Sequence, residues 1–206
     1  GALIASGVMT AEEAFELVRK RGIFMQEAVP AGGAMAAVLG LDAAAIEQIC
    51  RDTAEQTGSE VSIANYNCPG QIVISGQEEA VHLAGETCKA SGAKRVVPLK
   101  VSGPFHSKML RGAGEKLKEE LKKVEISDSF VPYIANVTSQ VSSSVRWQQT
   151  IERLLADGAD EFVEIGPGRT LSGFVKKVNR DVKVSSIDKM EDFIQFIGSH
   201  VEAGAC

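Results

Sequence analysis

His106 is the residue that the sequence places best for chemistry. It lies in VSGPFHSKML, residues 101–110, where Gly103 and Pro104 break a predicted strand and a predicted helix follows. Ligand crevices of open α/β sheets form at the carboxyl ends of strands. A histidine at such a place suits a general base that takes a proton from a nucleophile and returns it to a leaving group. On spacing alone, a lone histidine is more often structural or simply exposed, but the strand-end position and the Gly-Pro turn weight the two interpretations equally.

A general base requires a nucleophile, and the sequence offers no obvious one. The G-x-S-x-G motif of a nucleophilic serine does not occur in the 206 residues, and Ser75 and Ser172 have glycine neighbours without the strand-turn-helix context. Cys68, in NYNCPGQ, is a candidate thiol, although a small half-buried residue at a turn is the favoured interpretation. EIGPG, residues 164–168, is a tight turn whose backbone N–H groups could approach a phosphate.

The composition argues against two classes of protein. Apolar residues make up 44% of the 206 and charged residues 24%, and the formal net charge of -5 argues against sequence-independent binding to nucleic acid. The longest apolar runs, such as AMAAVLGL, fall short of the roughly 20 residues of a membrane-spanning helix. The first residues carry no basic segment typical of a signal peptide. We therefore expect a protein that binds neither nucleic acid nor membrane.

The cysteines and histidines show neither metal-ligand spacing nor a disulfide framework. They are Cys50, Cys68, Cys88 and Cys206, and His82, His106 and His200. We therefore expect no metal site and no structural disulfide, and the reducing cytoplasm as the compartment.

The pattern of apolar residues between 33 and 101 predicts a βαββαβ unit. A helix over residues 10–28, capped by Thr10, precedes it. The unit consists of the strand MAAVLGL, a helix opened by Asp42, the strands VSIANY and QIVISG, a helix over residues 78–90 and the strand KRVVPLKV. This is the element order of the ferredoxin-like fold, so we expect a subdomain of its own.

From residue 102 onward, helices and strands alternate. A helix with Leu110, Leu117 and Leu121 is followed by the strand VPYIANV, the helix VRWQQTIERLLADG, the strand EFVEIGPG, the helix TLSGFVKKVNR, the strand VKVSSI and the helix KMEDFIQFIGSH. This alternation is typical of a parallel sheet covered by helices. We therefore predict an α/β protein in which residues 1–32 and 102–206 form a parallel-sheet core and residues 33–101 form an inserted subdomain.

Five segments of the chain, taken in order, resemble one enzyme family. They are VRKRGIFMQEAVPAGGAMAAVLGL, ANYNCPGQIVISG, GAKRVVPLKVSGPFHSKML, VRW and FVEIGPGRTLSGFVKKV. The combination is similar to that of the malonyl-CoA:acyl-carrier-protein transacylases of bacterial fatty-acid synthesis and of the related acyltransferase domains of polyketide synthases. The resemblance implies an α/β-hydrolase-like core with an inserted ferredoxin-like subdomain. It also implies ping-pong transfer of malonyl from malonyl-CoA to a serine and then to the phosphopantetheine thiol of acyl carrier protein, with no cofactor bound by the enzyme.

The resemblance implies roles for four residues near the reaction. His106 matches the catalytic histidine, and Gln140 matches the glutamine whose backbone carbonyl accepts the imidazole N–H, in the place of the aspartate of other triads. Arg21 matches the arginine that pairs with the free carboxylate of malonyl, which favours malonyl over acetyl. Phe105 matches a position where a bulky ring suits malonyl and crowds an α-methyl branch.

Four further positions match polar or basic residues of the family. Asn65 and Asn67 match residues that line the cleft between the two subdomains. Arg95 and Lys177 match basic positions near the docking face for the acidic carrier protein, where local cations aid encounter. For Arg95 and Lys177, an ordinary solvated surface charge is an equally weighted interpretation.

The chain departs from the family pattern in two places. The family's GHSLG motif, which holds the nucleophilic serine, is expected a few residues before Gly1, and a strand, loop and helix of the family are missing between the match to IANVT and Gln140. We therefore expect the 206 residues to lack the nucleophile and to omit parts of a longer chain. The alternatives are a freestanding polyketide-type acyltransferase, a fragment that only binds CoA or carrier protein, and a thioester hydrolase, ranked last because Arg21 is present.

Overall fold

Two units make up the chain, and each has its own core. The computed structural model describes residues 1–101, 103–132 and 140–203. The first unit comprises Gly1–Tyr66 and Gly70–Arg146, and the second comprises Asn67–Pro69 and the chain from Trp147 onward. Among the described residues, no helix is both long and apolar enough to cross a membrane.

Two helices open the first unit, α1 (Ala2–Ala5) and α2 (Ala11–Ala28). Thr10 begins α2 as predicted, because its hydroxyl accepts a hydrogen bond from the Glu13 N–H and the Glu13 carboxylate accepts one from the Thr10 N–H. Pro30 follows the end of α2, where a proline is expected because its ring cannot continue a helix. These two signals confirm the predicted bounds of the helix that carries Arg21.

Four strands form the sheet of the first unit, and two helices pack on it. The elements are β1 (Gly33–Leu39), α3 (Ala43–Thr57), β2 (Val61–Cys68), β3 (Gln71–Gln77), α4 (Glu78–Ala90) and β4 (Arg95–Pro98). The strands lie in the order β2-β3-β1-β4, and β1 is antiparallel to both β3 and β4. Val38, Ile46 and Ile74 are fully buried in the core that the sheet shares with the helices. The predicted βαββαβ succession is thus confirmed.

The last helix of the first unit, α5 (Arg111–Leu121), follows a 3₁₀ turn over Lys108–Leu110 and packs along α2. Met25 of α2 shares a buried apolar cluster with Leu110, Ala113 and Val141. At the surface, the Lys20 ammonium lies 2.7 Å from the Glu120 carboxylate. These contacts fix α2 beside the segment that carries His106.

The second unit contains three helices and a parallel strand pair. They are α6 (Trp147–Ala156), β5 (Glu161–Ile165), α7 (Thr170–Val178), β6 (Lys183–Ile187) and α8 (Met190–Ala203). β5 and β6 are parallel, with Val163 opposite Ser185, which confirms the parallel pairing predicted from the alternation of helices and strands. Ile151, Val175 and Val182 form the buried core of this unit.

Some predicted elements differ from the structure in their bounds, and one lies mostly outside the described residues. The strand MAAVLGL begins earlier, at Gly33, and ends at Leu39 and not at Leu41. The strand KRVVPLKV ends at Pro98 and not at Val101, although the Leu99 N–H still donates a hydrogen bond to the Met35 carbonyl of β1. The helix predicted from Val145 begins at Trp147, because Val145 pairs with β2: its N–H donates to the Ala64 carbonyl and its carbonyl accepts from the Tyr66 N–H. The predicted strand VPYIANV falls mostly on residues 133–137, which lie outside the described residues.

Candidate active site

His106 has an unusual backbone conformation. It lies in residues 103–107, which we call the histidine turn, and its φ of +59° places it in the left-handed region. Among the described residues, every other positive φ belongs to a glycine. A non-glycine residue in this region costs about 1–3 kcal/mol, and such residues cluster at active sites where the surrounding structure holds them. The backbone therefore marks His106 independently of its side chain.

The imidazole of His106 is oriented by a backbone carbonyl. Its Nδ1 atom lies 2.8 Å from the carbonyl oxygen of Gln140. Because a carbonyl can only accept a hydrogen bond, Nδ1 carries the proton and donates it. In the neutral ring, Nε2 then bears the lone pair, which is the atom that can take a proton from a nucleophile. The contact expected between these two residues is present.

The surroundings of His106 favour its neutral form. Burial lowers the pKa of this histidine below its ordinary value, the hydrogen bond to the Gln140 carbonyl raises it, and the charge of Arg21 lowers it. The net effect is a lowered pKa, so the ring is neutral near pH 7. A neutral imidazole whose Nδ1 is already bonded is suited to act as a general base through Nε2.

Arg21 and Phe105 line one cavity of about 260 Å³, together with Met25 and Leu110. The Arg21 guanidinium is half-buried and has no carboxylate within salt-bridge distance among the described residues, and burial lowers its pKa. A guanidinium stays charged in a protein and offers a planar pair of donors that matches a carboxylate. The cavity thus combines a cation lacking a counter-charge with an apolar wall, which suits a small acyl group that carries a carboxylate.

His106 lines a second cavity, of about 420 Å³, in the same unit. Its lining also includes Lys108, Arg111 and the serine segment 142–144. Lys108, Arg111 and these serines were not predicted from the sequence as site residues. The one sequence feature that could have identified Lys108 and Arg111 is their place in the first turn after His106. The neighbouring residues Phe105 and His106 therefore open onto two different cavities of one unit.

The remaining predicted site residues are half-buried or exposed. Asn65 is half-buried on β2, where it forms a parallel bridge with Val145, and Asn67 is half-buried near the end of the same strand. Arg95 is exposed on β4, and Lys177 is exposed on α7. The cleft-lining and docking roles of these four residues stay predictions.

The structure disfavours two alternative sites that the sequence suggested, the Cys68 thiol and the EIGPG turn. The Cys68 side chain is 0% exposed, and burial raises the pKa of its thiol above the ordinary value, so it is a core residue and not an available thiolate. In EIGPG, the Glu164 carboxylate accepts hydrogen bonds from the N–H groups of Leu171 (3.1 Å) and Ser172 (2.7 Å). The N-terminus of α7 thus already holds a negative charge, which disfavours a phosphate there.

Among the described residues, there is no group of three histidine, cysteine, aspartate or glutamate side chains placed to hold a metal ion.

Residues 1–144 match the model of the acyl transferase domain family. The chain is 49% identical to malonyl CoA-acyl carrier protein transacylase of Bacillus subtilis, in an alignment that covers 92% of this chain and 65% of that protein. It is 41% identical to the protein of the same name from Staphylococcus aureus strain MRSA252, covering 92% of this chain and 67% of that one. The chain therefore spans about two thirds of the length of these relatives.

Solved structures show the same similarity. The malonyl CoA-acyl carrier protein transacylase of Clostridium perfringens superposes with a TM-score of 0.92 at 40% identity, over 98% of this chain and 68% of that one. A second match is a complex of a type II polyketide-synthase acyl carrier protein with its malonyl-transacylase, with a TM-score of 0.91 at 38% identity, over 94% of this chain and 67% of that one.

Proposed function

The chain belongs to the acyl transferase domain family, and we propose that its protein transfers malonyl from malonyl-CoA to the phosphopantetheine thiol of acyl carrier protein, for fatty-acid synthesis. The observation that carries this proposal is the bond between His106 Nδ1 and the Gln140 carbonyl oxygen, 2.8 Å long, which leaves Nε2 as a proton acceptor. The cavity of Arg21 supports the choice of acyl group, because its cation has no carboxylate partner among the described residues.

The proposed reaction has two half-reactions that share His106. In the first, Nε2 takes the proton of a serine hydroxyl as the oxygen attacks the thioester carbonyl, and the proton then goes to the CoA sulfur as the C–S bond breaks. In the second, Nε2 takes the proton of the carrier thiol as its sulfur attacks the carbonyl carbon of the serine ester, and the proton then goes to the serine oxygen as the ester C–O bond breaks. The 206 residues contain no G-x-S-x-G motif, so the serine in this scheme lies outside them.

Arg21 and Phe105 select the acyl group in this proposal. A malonyl carboxylate pairs with the Arg21 guanidinium, whereas an acetyl group would leave that half-buried cation without a counter-charge. The Phe105 ring, in the wall of the same cavity, would crowd an α-methyl branch. Asn65 and Asn67, each half-buried, would have the cleft-lining role that the family resemblance implies.

Acyl carrier protein is the proposed macromolecular partner. Arg95 and Lys177 are exposed cations, and a carrier protein with an acidic surface would be attracted to them. The phosphopantetheine group is carried by this partner, so the proposal includes no cofactor bound to the chain itself. A reducing cytoplasm fits the buried, unpaired thiols of Cys50, Cys68 and Cys88.

We also propose the finer description of the fold. The βαββαβ unit over residues 33–101 would be a ferredoxin-like subdomain, and residues 1–32 and 102–206 would belong to an α/β-hydrolase-like core. The strand order β2-β3-β1-β4 supports the first part, and the parallel pair of β5 and β6 supports the second.

A second candidate function is supported by one specific observation. Because the 206 residues contain no nucleophile motif, a protein limited to them would only bind CoA or carrier protein. A polyketide pathway is a further candidate, since one structural match is a malonyl-transacylase bound to a type II polyketide-synthase carrier protein.

Intact mass spectrometry tests the proposal on the protein as its source organism makes it, whatever the length of its chain. We expect a malonyl adduct after incubation with malonyl-CoA and its loss when holo acyl carrier protein is added, with malonyl appearing on the carrier. The His106→Ala variant should form the adduct far more slowly. A protein that binds CoA but forms no adduct would support the binding candidate and overturn the transferase.

A further inference from the structure

The histidine turn holds His106 in a conformation that its own sequence does not favour. The left-handed φ of +59° is disfavoured for any residue with a Cβ, and the ring must in addition reach the Gln140 carbonyl. A conformation of this kind persists only where neighbouring contacts hold it. Contacts from neighbouring residues must therefore hold the histidine turn in this conformation.

Ser107 closes the turn from one side. Its side chain is 1% exposed, and its hydroxyl donates a hydrogen bond to the Pro104 carbonyl oxygen, 2.7 Å away. The Ser107 carbonyl in turn accepts a hydrogen bond from the Leu110 N–H, which ties the turn to the 3₁₀ turn after it. Ser107 lies directly after His106, so these bonds fix the backbone on the C-terminal side of the histidine.

Gly33 supports the turn from the other side. It is the first residue of β1 and pairs with Gln77 of β3, so its position is set by the sheet. A Cβ added to Gly33 would lie 2.7 Å from Cγ and 2.8 Å from the backbone N of Pro104, and its contact with Cδ would be closer still. Only glycine lets Pro104 rest directly on the end of β1. Pro104 is thus held between the sheet and the Ser107 hydroxyl.

We propose that Ser107 and Gly33 are positioning residues for His106, which fix Pro104 from two sides so that the imidazole keeps its left-handed backbone and its bond to Gln140. Neither residue needs to touch a substrate. The catalytic consequence rests on the proposed function, whereas the positioning itself is a property of the 206-residue chain.

Imidazole ¹⁵N NMR of the 206-residue chain tests the positioning without any substrate. The bond to Gln140 requires the proton on Nδ1, whereas a free neutral histidine prefers Nε2, so the two ¹⁵N shifts report the orientation directly. The chain has three histidines, and a His106→Gln variant assigns the signals of His106. His82 and His200 serve as internal references in the same spectrum.

The variants are Ser107→Ala and Gly33→Ala, with Ser6→Ala as the matched control. Ser6 is also 1% exposed and also donates to a carbonyl three residues earlier, that of Leu3, but it lies far from the turn in sequence. We expect His106 to lose its Nδ1–H tautomer signature in Ser107→Ala and Gly33→Ala, and to keep it in Ser6→Ala. The signals of His82 and His200 should stay unchanged in all three.

Two results would overturn the proposal. If His106 keeps the Nδ1–H tautomer in both test variants, the turn does not need these contacts. If the His82 signals change together with those of His106, the two residues stabilise the whole unit and have no specific positioning role. Either result is independent of malonyl transfer, so a failure here and a failure of the proposed function are separable.

Discussion

The carbonyl oxygen of Gln140 lies 2.8 Å from His106 Nδ1, although 34 residues separate the two along the chain. A peptide carbonyl orients the ring as a carboxylate would, but it carries no net charge. It therefore raises the pKa of His106 too little to offset burial and the charge of Arg21, which together keep that pKa below its ordinary value. The arrangement yields an oriented imidazole that is neutral at physiological pH.

Malonyl transfer should tolerate truncation of the Gln140 side chain. Because its backbone carbonyl makes the contact, Gln140→Ala should keep kcat for malonyl transfer within a few-fold of the parent, whereas His106→Ala should lose about 10²–10⁴-fold. Both variants are made in the protein as its source organism makes it, and steady-state transfer to holo acyl carrier protein measures their kcat. Comparable losses in the two would mean that the amide side chain of Gln140 does the orienting, against the structure.

The two partners of this contact differ in how far the sequence could predict them. Its residue type and its place after a predicted strand point to His106, and the structure adds the left-handed backbone. Gln140 acts through an atom that every residue has, so no residue-type argument could select it, and it was expected only through the family resemblance. The contact itself depends on a fold that brings together residues 34 positions apart.

Arg21 should determine selectivity for malonyl. The Arg21→Met variant removes the cation from the cavity it shares with Phe105, so kcat/KM for malonyl-CoA should fall about 10- to 100-fold, as expected for a lost hydrogen bond to a charged group. The kcat/KM for acetyl-CoA should rise, because acetyl then no longer leaves a half-buried cation without a counter-charge. Arg19→Met is the matched control, because Arg19 is an exposed arginine of the same helix paired with Glu16. An equal loss for both substrates would remove Arg21 from the selection of the acyl group.

The same substitution should alter the titration of His106. Burial is the main cause of the lowered pKa of His106, and the positive charge of Arg21 lowers it further, since it disfavours the imidazolium. In Arg21→Met, the midpoint of the His106 titration should therefore move upward, toward the ordinary value of 6.5. NMR titration of the 206-residue chain measures the shift, and Arg19→Met should not produce it. A downward shift would contradict the assigned sign.

Arg21 also shows what sequence alone could not establish. On the sequence of α2 it resembles any solvated charge, because the cavity that it lines is completed by Leu110 and by the histidine turn, which lie far from it along the chain. EIGPG shows the reverse case: glycines and a following helix suggest a phosphate site, but the glutamate of the same motif folds back onto the helix N-terminus. A local pattern does not reveal which of its own side chains will occupy a site.

The contact between Glu161 and His200 should make the stability of the second unit depend on pH. The Glu161 carboxylate lies 2.9 Å from His200 Nε2 and also accepts hydrogen bonds from Lys183 and Ser185. The bond from His200 is the main cause that lowers the pKa of Glu161 to about 2, and the bond to Glu161 is the main cause that raises the pKa of His200 above 6.5. Both residues are therefore charged in the pH range between their ordinary pKa values, 4.5 for the glutamate and 6.5 for the histidine.

The signs of these two shifts define the expected profile. The stabilisation from His200 is complete below pH 6.5 and is lost as the pH rises through the raised pKa of His200. The stabilisation from Glu161 is complete above pH 4.5 and is lost as the pH falls toward about 2. His200→Gln should therefore lower the unfolding temperature most between pH 4.5 and pH 6.5, and less at lower and at higher pH. His82→Gln, which replaces an exposed histidine of α4, is the control. A difference that stays constant with pH would contradict an ion pair.

Glu164 should stabilise α7 as a cap and not as part of a ligand site. Burial would raise the pKa of Glu164, but hydrogen bonds from Ser172 and Leu171 outweigh it and lower the pKa, so the carboxylate is charged at the positive end of the helix dipole. Glu164→Ala should cost about 1 kcal/mol, as the loss of other N-terminal caps does. For a unit of this size, that loss lowers Tm by about 4–8 °C.

Glu191→Ala, which removes an exposed carboxylate from the first turn of α8, is the control for loss of charge alone. A variant that keeps the parental Tm and gains affinity for inorganic phosphate would instead establish EIGPG as an anion site that Glu164 occupies in competition.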